Sequence, residues 1–503
     1  MKLNFAIPML LCLFACSKST DETPLPTPSS LGTPVAFSLS NAGQAYGKGV
    51  CVDKQDNFYY TSLFQGTLSG KSIAATGGVD NYFAKHDKNG ALLWERSFGG
   101  VVGGITVAHG IDTDDAGNVY LAGYFGAETA TDGRTASFGG GKTATSRSGY
   151  DAFVAKYDAS GTAQWAFGLG NTAGVTEERA WDLVAEPGGN FYVSGAFSGT
   201  VNFNPLGSAA RSLSVPGIGH FLAKYNAEGQ NLWAVRVEAN VTNVFNEGYT
   251  TVDFDANGTV FLAGVYRNSV TIGTTTLTSA GQADIFLARY AATDGSAQTV
   301  KSFGGPGQDV VSPGAMRVSK SGEPHLTGRF AGTANFGGTS LSSQSPGNVF
   351  LLACTPAGAT KWAISMSSAT GLDGGHRVDF DPQGNVFVAG WFRGTTNFNG
   401  RGTAPLTANG TADAGDVFLA KYSATGDYLW AKSIGAVVSG ADNLAICAGL
   451  AADSQGNTVI TGKFYGQNAD FDPAPERQVL LSSGGQDDCF LAKYTGLGEL
   501  FRK

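Results

Sequence analysis

The sequence predicts an all-β chain folded as a seven-bladed β-propeller of four-stranded antiparallel blades. A stretch of the form Asp151-Ala-Phe-Val-Ala-Lys-Tyr-Asp-Ala-Ser-Gly161, followed by Trp165, recurs along the chain. Its central Phe stands at 83, 153, 221, 286, 350, 418 and 490. Self-similarity at a period of roughly 60 to 70 residues is the mark of a repeat architecture. Glycine is abundant (72 of 503 residues), charge is sparse and long 3.6-residue periodicity is missing. Strands and turns use residues in this way; helices do not.

The second copy shows how one repeat is built. Gly110-Ile-Asp-Thr-Asp114 reads as strand A, and Asp114-Asp-Ala-Gly117-Asn118 as a turn with an Asx-type start and a glycine suited to positive φ. Val119 to Phe125 is strand B, a longer excursion follows, and Asp151 to Tyr157 is strand C. The turn Asp158-Ala-Ser-Gly161 leads into strand D around Trp165. The first turn returns at Asp53, Glu186, Asp255, Ser319, Asp381 and Asp453. Phe153, Ala155 and Tyr157 share one face of strand C and Val154 lies on the other, so both faces of the sheet are apolar. One small sheet cannot cover both, and radial stacking of copies solves this. The expected blades are about 48–100, 109–170, 180–237, 249–305, 314–366, 375–435 and 447–503. The last copy has only a stub of strand D, so residues 35–40 are expected to close its blade, with the stub competing for the same edge.

A further segment recurs as Gly199-Thr-Val-Asn-Phe203, Gly332-Thr-Ala-Asn-Phe336 and Gly394-Thr-Thr-Asn-Phe398, and in drifted form as Asn468-Ala-Asp-Phe471-Asp-Pro473. With the Asp-x-x-Gly-Asn turn and Asp-x-Phe-x-Ala-Lys-Tyr, this pattern over 35–503 resembles the SBBP (seven-bladed β-propeller) repeat family. The resemblance implies the fold and little about activity. The strand C to D joint also looks like the Trp-docking motif of quinoprotein propellers. That likeness implies that Trp94, Trp165, Trp233, Trp362 and Trp430 pack on a neighbouring blade. No quinone-binding constellation accompanies it, and no cofactor is expected.

The apolar run Phe5 to Ala15 is too short for a stable span and fits a signal peptide over 1–15. It ends in Leu13-Phe-Ala-Cys16, which resembles a bacterial lipobox, although Phe14 is bulkier than the usual residue there. Lipidation of Cys16 would leave the chain exported and anchored in the bacterial envelope, with the outer membrane the expected site. The alternative is an ordinary secretory signal with an incidental Cys16. Residues 16–34, rich in Pro, Ser and Thr, are expected to be a disordered tether. A diffuse net charge of −8 argues against nucleic acid as a partner. Cys51, Cys354, Cys447 and Cys489 show no metal-ligand spacing, so no metal is expected. Of these, Cys51 and Cys447 are the pair that could meet, on inner strands of the first and last repeats.

Repetition also filters for function: a residue present in nearly every copy serves the blade, and function belongs where copies disagree. Lys85, Lys156, Lys224, Arg289, Lys421 and Lys493 hold one position and read as structural, as do the repeated Trp. Alternating strand direction places the long B–C and D–A connections at one end, where binding is expected. Departures there are Glu178, Arg179, Trp181, Asn243, Phe245, Glu247, Asp373, His376 and Arg377. Lys48, His109, Trp181, Thr250 and His376 hold equivalent positions at the channel mouth, and His109 and His376 are expected to lie nearly opposite. Along strand A, Asp112, Asp253, Arg317 and Asp379 are expected to form a charge belt in the channel. That belt would be either an internally neutralised cluster or a cation or polar-ligand site. No Ser-His-Asp order, His-Glu-x-x-His or phosphate loop is present.

These features point to a non-catalytic binding or interaction scaffold whose partner, a protein or glycan of the cell envelope, meets the long-loop end. The alternative is a propeller enzyme of the lyase or glycan-processing type at the rim, using Glu178, His376 and Asp373.

Overall fold

In a computed structural model, residues 32–39, 43–128, 133–171, 176–241, 248–369, 371–409, 415–437, 445–484 and 486–503 are described. The signal peptide, Cys16, most of the tether and the D–A loop residues Asn243, Phe245 and Glu247 lie outside them. Seven antiparallel four-stranded blades form a ring, and the described residues contain no α-helix. Blade 1 is typical, with strand A at Ala45–Val52, B at Phe58–Phe64, C at Asp80–His86 and D at Leu92–Phe98. The inner strands of blades 2 to 7 are Ile105–Thr113, Arg179–Ala185, Thr250–Phe254, Met316–Val318, Gly374–Phe380 and Ala445–Ala452.

The A–B turn owes its shape to its acid. Asp53 accepts the backbone N–H groups of Gln55 and Asn57 at 2.9 Å, the Asn57 amide at 2.9 Å and the Tyr59 hydroxyl at 3.0 Å. Against the penalty of burial, these bonds hold its pKa below the usual carboxylate range. Asp114, Asp381 and Asp453 repeat the arrangement. The strand C lysine completes it, with Lys85–Asp53 at 3.2 Å, Lys224–Glu186 at 2.7 Å, Lys421–Asp381 at 2.8 Å and Lys493–Asp453 at 2.8 Å.

The core is a set of slabs between neighbouring blades. One such cluster packs Phe83, Phe98, Phe125, Phe153 and Tyr157 between blades 1 and 2, and comparable clusters fill the other junctions. Each fully buried aromatic or aliphatic side chain contributes on the order of 1.5–3 kcal/mol. The repeated Trp fastens four of these junctions at their outer edge. Trp94 Nε1 donates to the Ala159 carbonyl at 3.1 Å, Trp165 to Ala227 at 3.2 Å, Trp233 to Ala292 at 2.9 Å and Trp362 to Ala424 at 3.2 Å. Every acceptor belongs to the C–D turn of the next blade.

Most B–C excursions are not free loops. Those of blades 2, 4, 5, 6 and 7 form two-stranded ribbons that pair with the end of the preceding blade's strand D or the residues after it. Phe336 and Phe398 of the Gly-Thr-x-Asn-Phe segments are buried by this folding, and Phe203 is buried at the end of the extended B–C hairpin of blade 3. In blades 2, 6 and 7 the Tyr near the end of strand C bonds its hydroxyl back to the excursion: Tyr157 to the Phe138 carbonyl at 3.0 Å, Tyr422 to Phe398 at 2.7 Å and Tyr494 to Phe471 at 2.9 Å.

Ala36–Leu39 supplies strand D of blade 7, pairing Ala36 with Ala492 and Leu39 with Cys489. The C-terminal stub does not displace it. Phe501 N–H donates to the Lys493 carbonyl at 2.8 Å, and the stub then turns to pair with the incoming chain, Val35 N–H to Phe501 at 2.9 Å and Thr33 N–H to Lys503 at 2.9 Å. Both chain ends therefore leave the ring at the end of the short A–B and C–D turns. The inner strands of blades 1 and 2 begin at Ala45 and Ile105, earlier than residues 48 and 109, because pairing with strand B continues past a bulge.

The four cysteines are free, buried thiols. Cys51 faces the slab between blades 1 and 2 and Cys447 the slab between blades 6 and 7, so the expected pair does not meet.

Candidate functional site

Five inner strands carry a bulge at one shared position. The register with strand B slips around Lys48, His109, Trp181, His376 and Ala448. An extra residue in one strand re-aims its side chain and bends the strand. Gly49, Gly110 and Gly449 follow the bulge in blades 1, 2 and 7. A Cβ on them would stand 2.9 Å from the His109 carbonyl, 2.7 Å from Leu183 N and 3.1 Å from Val50 N of the next blade. In blades 3 and 6 that place holds Asp182 and Arg377.

The channel has three levels. At the long-loop end a mouth cavity of about 200 Å³ is lined by Tyr46, Lys48, His109, Tyr249, Ser312, Pro313, His376, Arg377 and Ala448. It abuts a second cavity of about 190 Å³ that shares Tyr249, Ser312 and His376 and adds Gln308, Arg329 and Trp391. Below lies a waist of about 30 Å³ around Asp182, Arg317 and Arg377. At the short-turn end a bowl of about 580 Å³ opens among the A–B turns of blades 5, 6 and 7.

The mouth is cationic. Arg377 reaches across it, donating to the carbonyl oxygens of Pro313, His376 and Lys48. Lys48 Nζ sits 3.9 Å from the Tyr46 ring centroid. Burial first, then the charges of Lys463 and Arg377, push the Lys48 pKa down to about 7. Burial likewise lowers that of Arg329 and Arg377. His376 Nδ1 lies 2.7 Å from the Cys447 carbonyl, and burial together with Arg377, Arg329 and Lys48 brings its pKa to about 4. Burial, Lys48, Arg377 and Arg179 push His109 well below its ordinary value. Both imidazoles are therefore neutral near pH 7. Among the described residues, Lys48, Arg329 and Arg377 have no carboxylate within ion-pair distance.

The waist carries the opposite sign. Asp112, Asp253 and Asp379 surround Arg317 as the sequence spacing suggests, and Asp182 joins them. Their carboxylates tie blades together. Asp112 accepts Ala185 N–H at 2.8 Å, Asp182 accepts Val252 N–H at 3.0 Å and Thr251 Oγ1 at 2.8 Å, and Asp379 accepts Ala452 N–H at 2.8 Å. Asp253 does the same for Val318. Burial raises the pKa of all four acids, that of Asp253 to about 7, with Arg317 opposing. Among the described residues no group of three or more His, Cys, Asp or Glu is placed to hold a metal ion.

No family model matches the chain. An uncharacterized WD repeat-containing protein of Acanthamoeba polyphaga mimivirus is 22% identical over 94% of this chain, which spans 39% of that protein's length. Similar solved structures include BamB from Moraxella catarrhalis, 11% identical with a TM-score of 0.39 over 92% of this chain and 99% of that one. A quinohemoprotein alcohol dehydrogenase from Comamonas testosteroni is 13% identical with a TM-score of 0.41 over 94% and 77%. A polysaccharide lyase, an ulvan lyase, is 10% identical with a TM-score of 0.43 over 91% and 97%.

The residues that the sequence singles out separate in the structure. His376 and Arg377 line the mouth, and His109 shares that cavity with His376 although their blades are well separated round the ring. Trp181 is buried beside His109, ring centroids 4.9 Å apart. Glu178 is buried and accepts the Ser198 hydroxyl at 2.8 Å. Arg179 is buried among Tyr124, Tyr150 and Trp181, its guanidinium carbon 4.0 Å from the Tyr124 ring centroid. Asp373 is buried, accepting Arg393 N–H at 3.0 Å and Thr396 Oγ1 at 2.9 Å. Glu178 and Asp373 thus hold neighbouring chain segments and do not face the mouth cavities. The residues missed are Arg329, Tyr46 and Tyr249. Arg329 was findable: the residue before the strand B aromatic is Leu63, Tyr124, Ala196, Val265, Arg329, Trp391 and Lys463 in the seven copies, a variable position beside an aromatic kept in all.

Proposed function

We propose that this chain is a lipid-anchored cell-envelope propeller that binds a protein or glycan at the long-loop end and performs no chemistry of its own. The observation carrying this reading is the mouth. There Lys48, His109, Tyr249, Arg329, His376 and Arg377, positions at which the copies differ, line two abutting cavities, while the repeated residues are spent on blade junctions. Loops and strand ends on a rigid scaffold commonly carry recognition. A survey of envelope glycans and proteins, run with the wild type and with Arg377→Gln, tests it. Binding lost in Arg377→Gln but retained in Ser321→Ala at the opposite bowl supports the reading, and loss only in Ser321→Ala overturns it. Palmitate labelling that survives Cys16→Ser would rule out the anchor.

A second reading, a lyase or glycan-processing enzyme at the rim, draws on the Lys48 amine with its pKa near 7 between two neutral histidines and two tyrosines. Perturbed groups gathered in a cleft are candidates for proton transfer. Release of shortened products from an acidic polysaccharide, abolished by His376→Ala, decides for that reading.

A further inference from the structure

We infer that the mouth takes an acidic sugar, a uronate-bearing segment of a glycan about two rings long; this rests on the long-loop end being the binding end. Charge comes first. Lys48, Arg329 and Arg377 crowd one end of the channel, and among the described residues none has a carboxylate within ion-pair distance. Lys463, nearby, already pairs with Asp487 at 2.6 Å. Lys48 and Arg377 face one cavity and Arg329 the adjoining one; all three are desolvated, Arg377 adds to the cost of charging Lys48, and an anion placed in the cavities stabilises them. The acids that could have balanced them stand below, at the waist, where Asp182 and Asp253 are engaged by backbone N–H groups of the next blade. A ligand entering from the long-loop end meets positive charge first.

Size and shape come second. The two cavities hold about 200 and 190 Å³ and meet at Tyr249, Ser312 and His376. Each has room for one pyranose ring, and their junction suits a glycosidic link. Aromatic surfaces flank both, Tyr46 and Tyr249 in the first and Trp391 in the second. Flat apolar faces beside a few convergent polar groups are what a sugar ring needs, with Ser312 and Gln308 offered to its hydroxyls. An acidic peptide would share the charge requirement but has no use for paired ring-sized compartments. Arg329 and Lys48 lie in different compartments, so uronates at either position, or both, find a cation. The Arg fork can grip a carboxylate in two-point fashion.

The test is calorimetric titration of the folded chain with digalacturonate, with its carboxyl-reduced neutral counterpart, with a short polyglutamate and with inorganic sulfate. Digalacturonate should bind, and more weakly as salt rises; its neutral counterpart should bind at least about tenfold more weakly, as loss of a charged contact implies. Lys48→Gln and Arg329→Gln should each lower digalacturonate affinity by about tenfold. Both side chains line the cavities, Lys48 with its ammonium 3.9 Å from the Tyr46 ring centroid, and matched melting curves exclude misfolding. Digalacturonate binding that ignores both substitutions overturns the inference. Polyglutamate binding without digalacturonate binding also overturns it and leaves a mouth that binds a protein. Sulfate binding as tight as that of the sugar overturns the sugar assignment. Appearance of an unsaturated uronate product would support the ligand class and overturn the non-catalytic reading.

Discussion

The carboxylate of Asp253 in blade 4 accepts the backbone N–H of Val318 in blade 5 at 2.7 Å, beside the buried guanidinium of Arg317. Asp253→Ala orphans that N–H and should cost about 1–3 kcal/mol, the usual penalty of a buried unsatisfied donor. Asp253→Asn keeps an oxygen in place and should cost less. Denaturant unfolding of both variants checks this, and equal losses would show that charge rather than the acceptor holds the junction.

The same residue gives a pH signature. Burial raises its folded pKa to about 7, well above the unfolded value. A group shifted this way contributes stability that is present at low pH and lost as pH rises through the folded pKa. The wild type should therefore gain on Asp253→Asn between about pH 8 and about pH 5. Melting both proteins across that range cancels the remaining titrating groups, and a difference that is flat with pH would contradict the raised pKa.

Gly161 has φ +77° and lies under the Trp94 ring, where a Cβ would come within 3.0 Å. Gly384 has φ +82° and open space around it. Gly384→Ala should cost only the left-handed backbone penalty, about 1–2 kcal/mol. Gly161→Ala should add about 1–3 kcal/mol of overpacking. Equal costs would mean that the Trp contact yields without penalty.

Ring closure rests on Ala36–Leu39. A chain beginning at residue 32 should melt with the full-length protein. One beginning at residue 40 loses the burial of Val35 and Leu39, about 1.5–3 kcal/mol for each side chain. It also bares the edge of Asp488–Tyr494. Hydrogen exchange at Cys489 and Leu491 reports that edge, and unchanged protection in the shorter chain would count against closure by this strand.

Lys48 predicts the pH dependence of anion binding. Its amine is cationic below a pKa of about 7, facing Lys463, Arg377, Tyr46, His109 and His376. Affinity for digalacturonate should fall as pH rises through that value, while Lys48→Arg should bind with little change over the same range. A wild-type profile as flat as that of the Arg variant would show that Lys48 takes no part.

Much of this molecule is legible in the sequence because it is written seven times. The turn acid, the strand C lysine, the docking Trp and the Gly-Thr-x-Asn-Phe segment each recur, and each proves to hold a blade or a junction. The mouth was harder to read. Whether Lys48, His109 or His376 sits on a bulge depends on pairing with strand B, which no local pattern records. Arg377 meets the Lys48 carbonyl across 329 positions of chain, a contact that only ring closure creates. Glu178 and Asp373 depart from the repeat, but departure alone does not separate an exposed carboxylate from a buried acceptor of backbone and hydroxyl bonds.

Thr33 and Lys503 leave the ring side by side, at the end opposite Lys48 and Arg377. An attachment made directly at Lys503, to a bead or a sensor chip, therefore lies at the end opposite the cationic mouth, like the stem of a cup. A fusion at Lys503 should leave ligand access untouched, whereas an insertion after Ser312 should block it.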